Sequence, residues 1–130
     1  MLNGFNVLVA EDDKLNQKII NFILLKKGAT VTLALNGAEA IELLSKNEFD
    51  IVIMDLQMPG IGGYAAAEHI RTIMKNNIPI IALTADSFAN ETDQYIAAGM
   101  NACICKPVDS AYLCDLIVTL VKESKKLILS

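Results

Sequence analysis

Acidic side chains directly follow two apolar segments of this chain. Asp55 follows residues 51–54, a short all-apolar run that is typical of a strand buried on both faces. Glu11 and Asp12 follow a second apolar segment, Asn6–Ala10. A carboxylate at the edge of a core is costly unless a cation or a hydrogen-bond donor pairs with it. These three acids are therefore candidates for chemistry.

A hydroxyl and an ammonium group occupy matching positions further along the chain. Thr84 ends the apolar segment Ile80–Thr84, and Lys106 follows Ala102–Cys105. Each residue alone has an ordinary structural explanation, but parallel strands would bring all of them to one edge of a sheet. A carboxylate beside a hydroxyl and an ammonium group suits phosphoryl transfer. Asp55 would attack phosphorus to form an acyl phosphate, while Lys106 and Thr84 stabilise its oxygens.

The predicted convergence of Glu11, Asp12 and Asp55 also points to a metal ion. Two like charges about 4 Å apart repel by roughly 4 kcal/mol at an effective dielectric near 20. Lys106 would offset part of this repulsion, and a divalent cation would offset the rest. An oxygen-only site with two or three carboxylates and open positions suits Mg²⁺, which retains waters and binds phosphate.

Strand and helix patterns alternate through the whole chain. The predicted strands cover residues 6–10, 30–34, 51–54, 80–84 and 102–105. This alternation predicts a single α/β domain over residues 1–130, with a core of about 5–124 and right-handed crossovers. Five strands fit the flavodoxin-like doubly wound order 2-1-3-4-5, a (βα)5 sandwich whose ligands bind beside the carboxyl ends of strands one and three.

Helical spacing of apolar residues predicts the buried face of each helix. In the first helix the predicted face consists of Leu15, Ile19, Phe22 and Ile23. The third helix, predicted at about 64–75, would bury Ala66, Ile70 and either Ile73 or Met74. The fourth helix is predicted at 89–98, and the fifth, capped by Asp109 or Ser110, would bury Leu113, Leu116, Ile117, Leu120 and Val121.

Composition limits the function further. The 130 residues are 53% apolar with a net charge of −4, which argues against disorder and against non-specific binding to nucleic acid or anionic membranes. No apolar run approaches the roughly 20 residues that span a bilayer, and no signal segment opens the chain, so we expect a cytoplasmic protein. Three cysteines without a signal peptide predict reduced, buried or partly buried thiols rather than disulfides or a metal site.

Several short motifs resemble one known family. They are residues 7–13 (VLVAEDD), 55–59 (DLQMP), Gly63, 83–85 (LTA), 99–100 (GM) and 106–107 (KP). In this order and spacing, which cover nearly the whole chain, they resemble the response-regulator receiver domain of two-component signalling. Glu11-Asp12 followed by Asn16-Gln17 is similar to receivers of hybrid sensor kinases and phosphorelays.

The resemblance implies a switch rather than a turnover enzyme. Asp55 would accept a phosphoryl group from a phosphohistidine on a histidine kinase or a histidine phosphotransfer protein. Glu11, Asp12, Asp55 and the backbone carbonyl of Gln57 would hold Mg²⁺. Lys106 and Thr84 would bind the acyl phosphate, and the peptide bond between Lys106 and Pro107 would be cis. The surface of helix four, strand five and helix five would serve a partner or a homodimer.

Cys103 departs from the family pattern. Similar proteins carry an aromatic residue three positions before the lysine, and a thiol is too small to repeat its movement. We therefore expect phosphorylation with an altered readout, or alternatively a degenerate receiver that binds protein without phosphorylation. A haloacid-dehalogenase-type phosphatase would need a second acid two residues after Asp55, where this chain has Gln57.

Overall fold

Five parallel strands form the sheet of this protein. The computed structural model describes residues 1–85 and 91–129. The strands are β1 (Asn6–Ala10), β2 (Thr30–Ala34), β3 (Ile51–Asp55), β4 (Ile80–Thr84) and β5 (Ala102–Cys105). Their order is β2-β1-β3-β4-β5, which confirms the predicted flavodoxin-like topology. The helices are α1 (Lys14–Lys26), α2 (Gly37–Lys46), α3 (Gly63–Thr72), α4 (Glu91–Ala97) and α5 (Ser110–Leu129).

Helices cover both faces of the sheet, as the all-apolar strands require. Every residue of β3 and β4 is buried. Alternate strand residues such as Leu8 and Val52 pack under α2 and α3. The intervening residues, such as Val9 and Ile53, pack under α1 and α5. Each buried aliphatic side chain stabilises the fold by about 1.5–3 kcal/mol relative to an exposed one.

The strand register fixes the carboxyl edge of the sheet. Ala10 pairs with Met54, so Glu11 and Asp55 occupy the next position on neighbouring strands. Asp55 pairs in turn with Leu83, the residue before Thr84. All of the residues singled out for chemistry therefore lie at the edge predicted from the strand order.

Side-chain caps mark where α1 and α5 begin. Asp13 accepts a hydrogen bond from the Asn16 backbone at 3.0 Å and starts α1. Asp109 accepts one from the Tyr112 backbone at 3.2 Å at the start of α5. Beyond the end of α1, Gly28 has a φ of +97°, a left-handed conformation that favours glycine. The chain therefore leaves the helical conformation at this glycine.

The predicted buried face of α1 is wrong for three of its four residues, and only Ile23 packs against the core. Leu15, Ile19 and Phe22 are 65%, 43% and 67% exposed. The helix instead buries Gln17, Ile20 and Leu24. The helix carries apolar residues on two faces, and the face that packs on the sheet begins with an amide. Apolar residues at helical spacing therefore indicate the more apolar face of α1, whereas the face that contains Gln17 is the buried one.

Smaller differences concern α3, α4 and the thiols. The third helix ends at Thr72 rather than near 75, so that Ile73 is 70% exposed while Met74 packs against the core. Of the predicted fourth helix, residues 89 and 90 lie outside the described residues, and α4 covers Glu91–Ala97. All three cysteines are free thiols, but Cys105 is exposed rather than buried.

Arg71 joins three segments at the amino edge of the sheet. Its guanidinium donates to the carbonyl of Gly99 at 2.9 Å, to the carbonyl of Asn76 at 2.8 Å and to Oδ1 of Asn101 at 3.0 Å. The same Asn101 oxygen accepts from the Ile80 backbone at 2.9 Å. The beginnings of β4 and β5 are therefore fixed to the end of α3.

Candidate functional site

Three carboxylates meet where β1 and β3 end. One oxygen atom from each of Glu11, Asp12 and Asp55 lies within 4.8 Å of the other two. Glu11 is fully buried, Asp55 is 3% exposed, and Asp12 is exposed. The three acids therefore converge as the sequence predicted, and two of them are buried while the third faces solvent.

Lys106 contacts the two buried acids. Its Nζ donates to Asp55 Oδ2 at 3.1 Å and forms an ion pair with Glu11 Oε1, also at 3.1 Å. The Lys106 backbone donates to the Thr84 carbonyl at 2.7 Å, which anchors the lysine beside β4. Burial lowers the pKa of Lys106, but the two carboxylates outweigh burial and hold that pKa above its ordinary value. The ammonium group therefore stays charged.

One lysine does not compensate the buried negative charge completely. Burial, followed by the neighbouring Asp55, raises the pKa of Glu11 from 4.5 to about 7, although Lys106 and the Asp13 backbone act in the opposite direction. Glu11 Oε1 is buried and has no partner of hydrogen-bond geometry among residues 1–85 and 91–129. A small, hard cation fits this oxygen-only donor set, because it would bind such an oxygen and favour the ionised acid.

Backbone contacts hold Asp55 in place. Its Oδ1 accepts from the Gln57 backbone at 3.0 Å, while Oδ2 accepts from Lys106. Gly63 packs against the Asp55 carbonyl so closely that an added Cβ would lie 2.6 Å from that oxygen. A glycine is therefore required at position 63, which belongs to the motif quoted from the sequence.

Thr84 and Gln57 are the remaining site residues predicted from the sequence. Thr84 is 2% exposed at the carboxyl end of β4, where it pairs with Cys105 of β5. The Gln57 side chain is exposed, and the Gln57 backbone N–H donates to the Asp55 carboxylate. The structure thus brings Glu11, Asp55 and Lys106 into direct contact. It places Asp12 within 4.8 Å of the other two acids and Thr84 on the adjoining strand.

Gln17 was not among the predicted site residues. It lies on the buried face of α1, and its side-chain amide donates to the backbone carbonyl of Glu11. The signal in the sequence was the Asn16-Gln17 pair, which supported only the resemblance. An amide at helical spacing before Ile20 and Leu24 is the more specific clue, because buried amides need partners.

Cys103 occupies the inner side of β5. It pairs with Ala82 of β4, is partly buried, and packs against the apolar cluster beneath α2 and α3. A small thiol therefore takes the position at which the family resemblance predicts an aromatic ring.

The sequence of residues 7–118 matches the family of response regulator receiver domains. The chain belongs to this family. Receiver domains of two-component signalling generally act as switches rather than turnover enzymes, which agrees with the prediction from the sequence. The relatives of this receiver are hybrid histidine kinases and phosphorelay proteins, as predicted.

One such relative is hybrid signal transduction histidine kinase I of Dictyostelium discoideum. It is 37% identical to this receiver over 121 residues, which cover 87% of this chain and 7% of that kinase. The receiver thus spans a small fraction of the length of that curated relative.

Solved structures share the fold over nearly the full chain. The receiver domain of sensor histidine kinase PA1611 from Pseudomonas aeruginosa, with a magnesium ion in its active-site cleft, superposes with a TM-score of 0.83 at 31% identity. That superposition covers 92% of this chain and 98% of the other. The Saccharomyces cerevisiae receiver domain of Ssk1, solved with the phosphotransfer protein Ypd1, gives 0.88 at 29% identity, with coverage of 95% and 93%. Among the helices of residues 1–85 and 91–129, none has the length and apolar character that crossing a membrane requires.

Proposed function

We propose that this receiver is a Mg²⁺-dependent phospho-acceptor switch in which Asp55 takes a phosphoryl group from a phosphohistidine. The observation that carries the proposal is the environment of the Asp55 carboxylate. One oxygen is held by the Gln57 backbone and the other by Lys106, at 3.0 and 3.1 Å, on a strand that cannot move without disturbing the core. Such a carboxylate is oriented before the donor arrives.

The transfer needs few protein groups. An Asp55 oxygen forms the new bond to phosphorus as the bond to the histidine nitrogen breaks, and the leaving nitrogen keeps the electron pair. Lys106, already paired with Asp55, would neutralise an oxygen of the phosphoryl group, and the Thr84 hydroxyl would donate to another. No described group beside Asp55 is required as a general base, because an ionised carboxylate has no proton to lose.

Glu11, Asp12, Asp55 and the Gln57 carbonyl would hold the cation. Bound there, Mg²⁺ would supply positive charge to the phosphoryl oxygens during transfer. The buried Glu11 oxygen, the raised pKa of Glu11 and the proximity of the three acids support this assignment. The magnesium ion in the receiver of PA1611 supports it independently.

The exposed apolar face of α1 suits the phosphodonor. Leu15, Ile19 and Phe22 are solvent-exposed, and α1 begins two residues after Asp12 in the chain. A donor that must place its phosphohistidine over Asp55 would reach this face at the same time. We therefore propose that a histidine kinase or histidine phosphotransfer protein binds here, as the complex of Ypd1 with the Ssk1 receiver suggests.

We further propose that this receiver is one domain within residues 1–130. Leu2 and Val121 pack in one apolar cluster, which supports a core that starts before position 5. Ile96, Cys105 and Tyr112 are exposed on α4, β5 and α5 and would form the partner or homodimer surface. The free thiols are in keeping with a cytoplasmic location.

Chemical phosphorylation tests the proposal. The receiver is incubated with acetyl phosphate and Mg²⁺, beside an Asp55→Asn variant and a sample with chelator, and is analysed by intact mass. We expect one acid-stable, base-labile phosphoryl group on the parent protein, absent from the variant and from the chelated sample. Modification of the Asp55→Asn variant to the same extent would assign the phosphoryl group to another residue.

A second candidate function is a binding module that does not use phosphorylation. Cys103 favours it, because the residue that usually reports the phosphorylated state is replaced by a small thiol. This function predicts that the parent protein stays unmodified with several small phosphodonors while it still binds its partner.

A further inference from the structure

Gln17 is an amide on a helix face that is otherwise apolar. The buried residues of α1 are Gln17, Ile20 and Leu24, spaced so that all three point toward the sheet. A leucine at position 17 would continue this face without any cost of burying polar atoms. Burying an amide instead is unfavourable unless the amide makes hydrogen bonds. The position therefore indicates a specific partner.

That partner is the backbone of an acid in the cluster. The Gln17 amide donates to the Glu11 carbonyl, in a buried contact. On its other side, the Glu11 backbone N–H donates to the Ala34 carbonyl at 3.0 Å. Residue 11 lies just beyond the last residue of β1, and its backbone is nevertheless held on both sides.

Further hydrogen bonds close a loop around Asp12. The Asp13 backbone donates to Glu11 Oε2 at 3.2 Å, and the Gln17 backbone donates to the Asp13 carbonyl at 2.9 Å. Asp12 thus lies between Glu11 and Asp13, and the carbonyl groups of both residues accept hydrogen bonds from Gln17 at the start of α1. Two side chains outside residues 11–13 hold this segment among the described residues: Lys106 pairs with the Glu11 carboxylate, and the Gln17 amide binds the Glu11 backbone.

We propose that Gln17 is a positioning residue that holds Glu11 and Asp12 in the arrangement required for the cation. This inference rests on the proposed function, since it assigns Gln17 a role in the same site. Without the amide, the buried Glu11 carbonyl loses its donor, and residues 11–13 shift toward water to satisfy it. Asp55 is held by β3 and keeps its place, so the change falls on cation affinity rather than on the nucleophile.

The test compares Gln17→Met with the parent protein. Methionine has a similar length but no donor, and the shorter amide of Gln17→Asn serves as a milder second variant. Ile20→Val, which shortens the next residue on the same buried face, is the control for a loss of packing. Mg²⁺ affinity is measured by calorimetry on the unphosphorylated proteins, and urea unfolding in chelator records their folding stability.

We expect Mg²⁺ to bind roughly tenfold or more weakly to Gln17→Met, the usual effect of removing a group that orients a metal ligand. In acetyl phosphate labelling, the half-saturating Mg²⁺ concentration should rise by the same factor, whereas the rate at saturating Mg²⁺ should stay within about twofold of the parent. Ile20→Val should keep the parent's Mg²⁺ affinity despite a lower stability, and Gln17→Asn should fall between the parent and Gln17→Met.

Two results would overturn the inference. Parental Mg²⁺ affinity in both Gln17 variants would show that the amide serves folding alone. An equal loss of affinity in Ile20→Val would assign the effect to packing. A parent protein that binds no Mg²⁺ is a separate outcome, because it would reject the proposed function and, with it, the role of Gln17.

Discussion

Removal of the buried acid at position 11 should change how the stability of this receiver depends on pH. Glu11 titrates near 7 in the folded chain, against an ordinary value of 4.5, chiefly because it is buried. Between these values the folded state binds more protons than the unfolded state. The free energy of unfolding therefore falls as the pH rises through this window. The difference between about 7 and 4.5 corresponds to about 3 kcal/mol.

Urea unfolding followed by circular dichroism measures this effect, since the chain has no tryptophan. In chelator, the parent should lose about 3 kcal/mol more than Glu11→Gln between pH 4.5 and 7.5, because glutamine does not titrate. Glu42→Gln, at an exposed acid paired with Lys46 on the surface of α2, should keep the parent's slope. Saturating Mg²⁺ should flatten the parent's curve by binding the ionised acid.

Parallel curves for the parent and Glu11→Gln would refute this reasoning. They would mean that Glu11 titrates normally, so that Lys106 compensates its burial completely and no excess negative charge is left for a cation. If the parent instead gained stability relative to Glu11→Gln as the pH rises, the pKa of Glu11 would have to be lower in the folded chain than in the unfolded chain.

Three further outcomes are expected. Lys106→Ala should leave the fold intact and permit phosphorylation but abolish the change in hydrogen exchange that follows it; an unchanged exchange response would contradict this. Gly63→Ala should destabilise the fold by about 1–3 kcal/mol in urea unfolding, because its Cβ would lie 2.6 Å from a β3 carbonyl oxygen, whereas Gly62→Ala has its nearest neighbour at 3.8 Å and should have little effect. Phe22→Ser should slow phosphoryl transfer from a phosphotransfer protein but not from acetyl phosphate, and Ile73→Ser, at an equally exposed residue just beyond α3, should affect neither.

The strands and the strand-end acids could be predicted from the sequence because both signals are local. An all-apolar run such as the one before Asp55 has few alternatives to a buried strand, and the strand order then brings Glu11 and Lys106 to the same edge. Few topologies are common for five strands that alternate with helices. In the order 2-1-3-4-5, residues that are distant in the sequence must meet at one edge of the sheet.

The parts that could not be predicted depend on long-range packing. The first helix has two apolar faces, and only the position of the sheet decides that Gln17 is buried while Phe22 is exposed. Ile73 and Met74 are equally apolar, and the end of α3 decides between them. The pKa of Glu11 likewise depends on the depth of the site, which no neighbouring residue in the sequence reveals.

The Arg71 hydrogen bonds have a consequence for how such a receiver can diverge. They connect the ends of three segments at the amino edge, whereas Lys106 and Asp55 pair at the opposite, carboxyl edge. The residues that keep β4 and β5 aligned are thus distinct from the residues proposed to hold the cation. Substitutions at the carboxyl edge can therefore alter the proposed cation site without disturbing the Arg71 hydrogen bonds that hold the beginnings of β4 and β5.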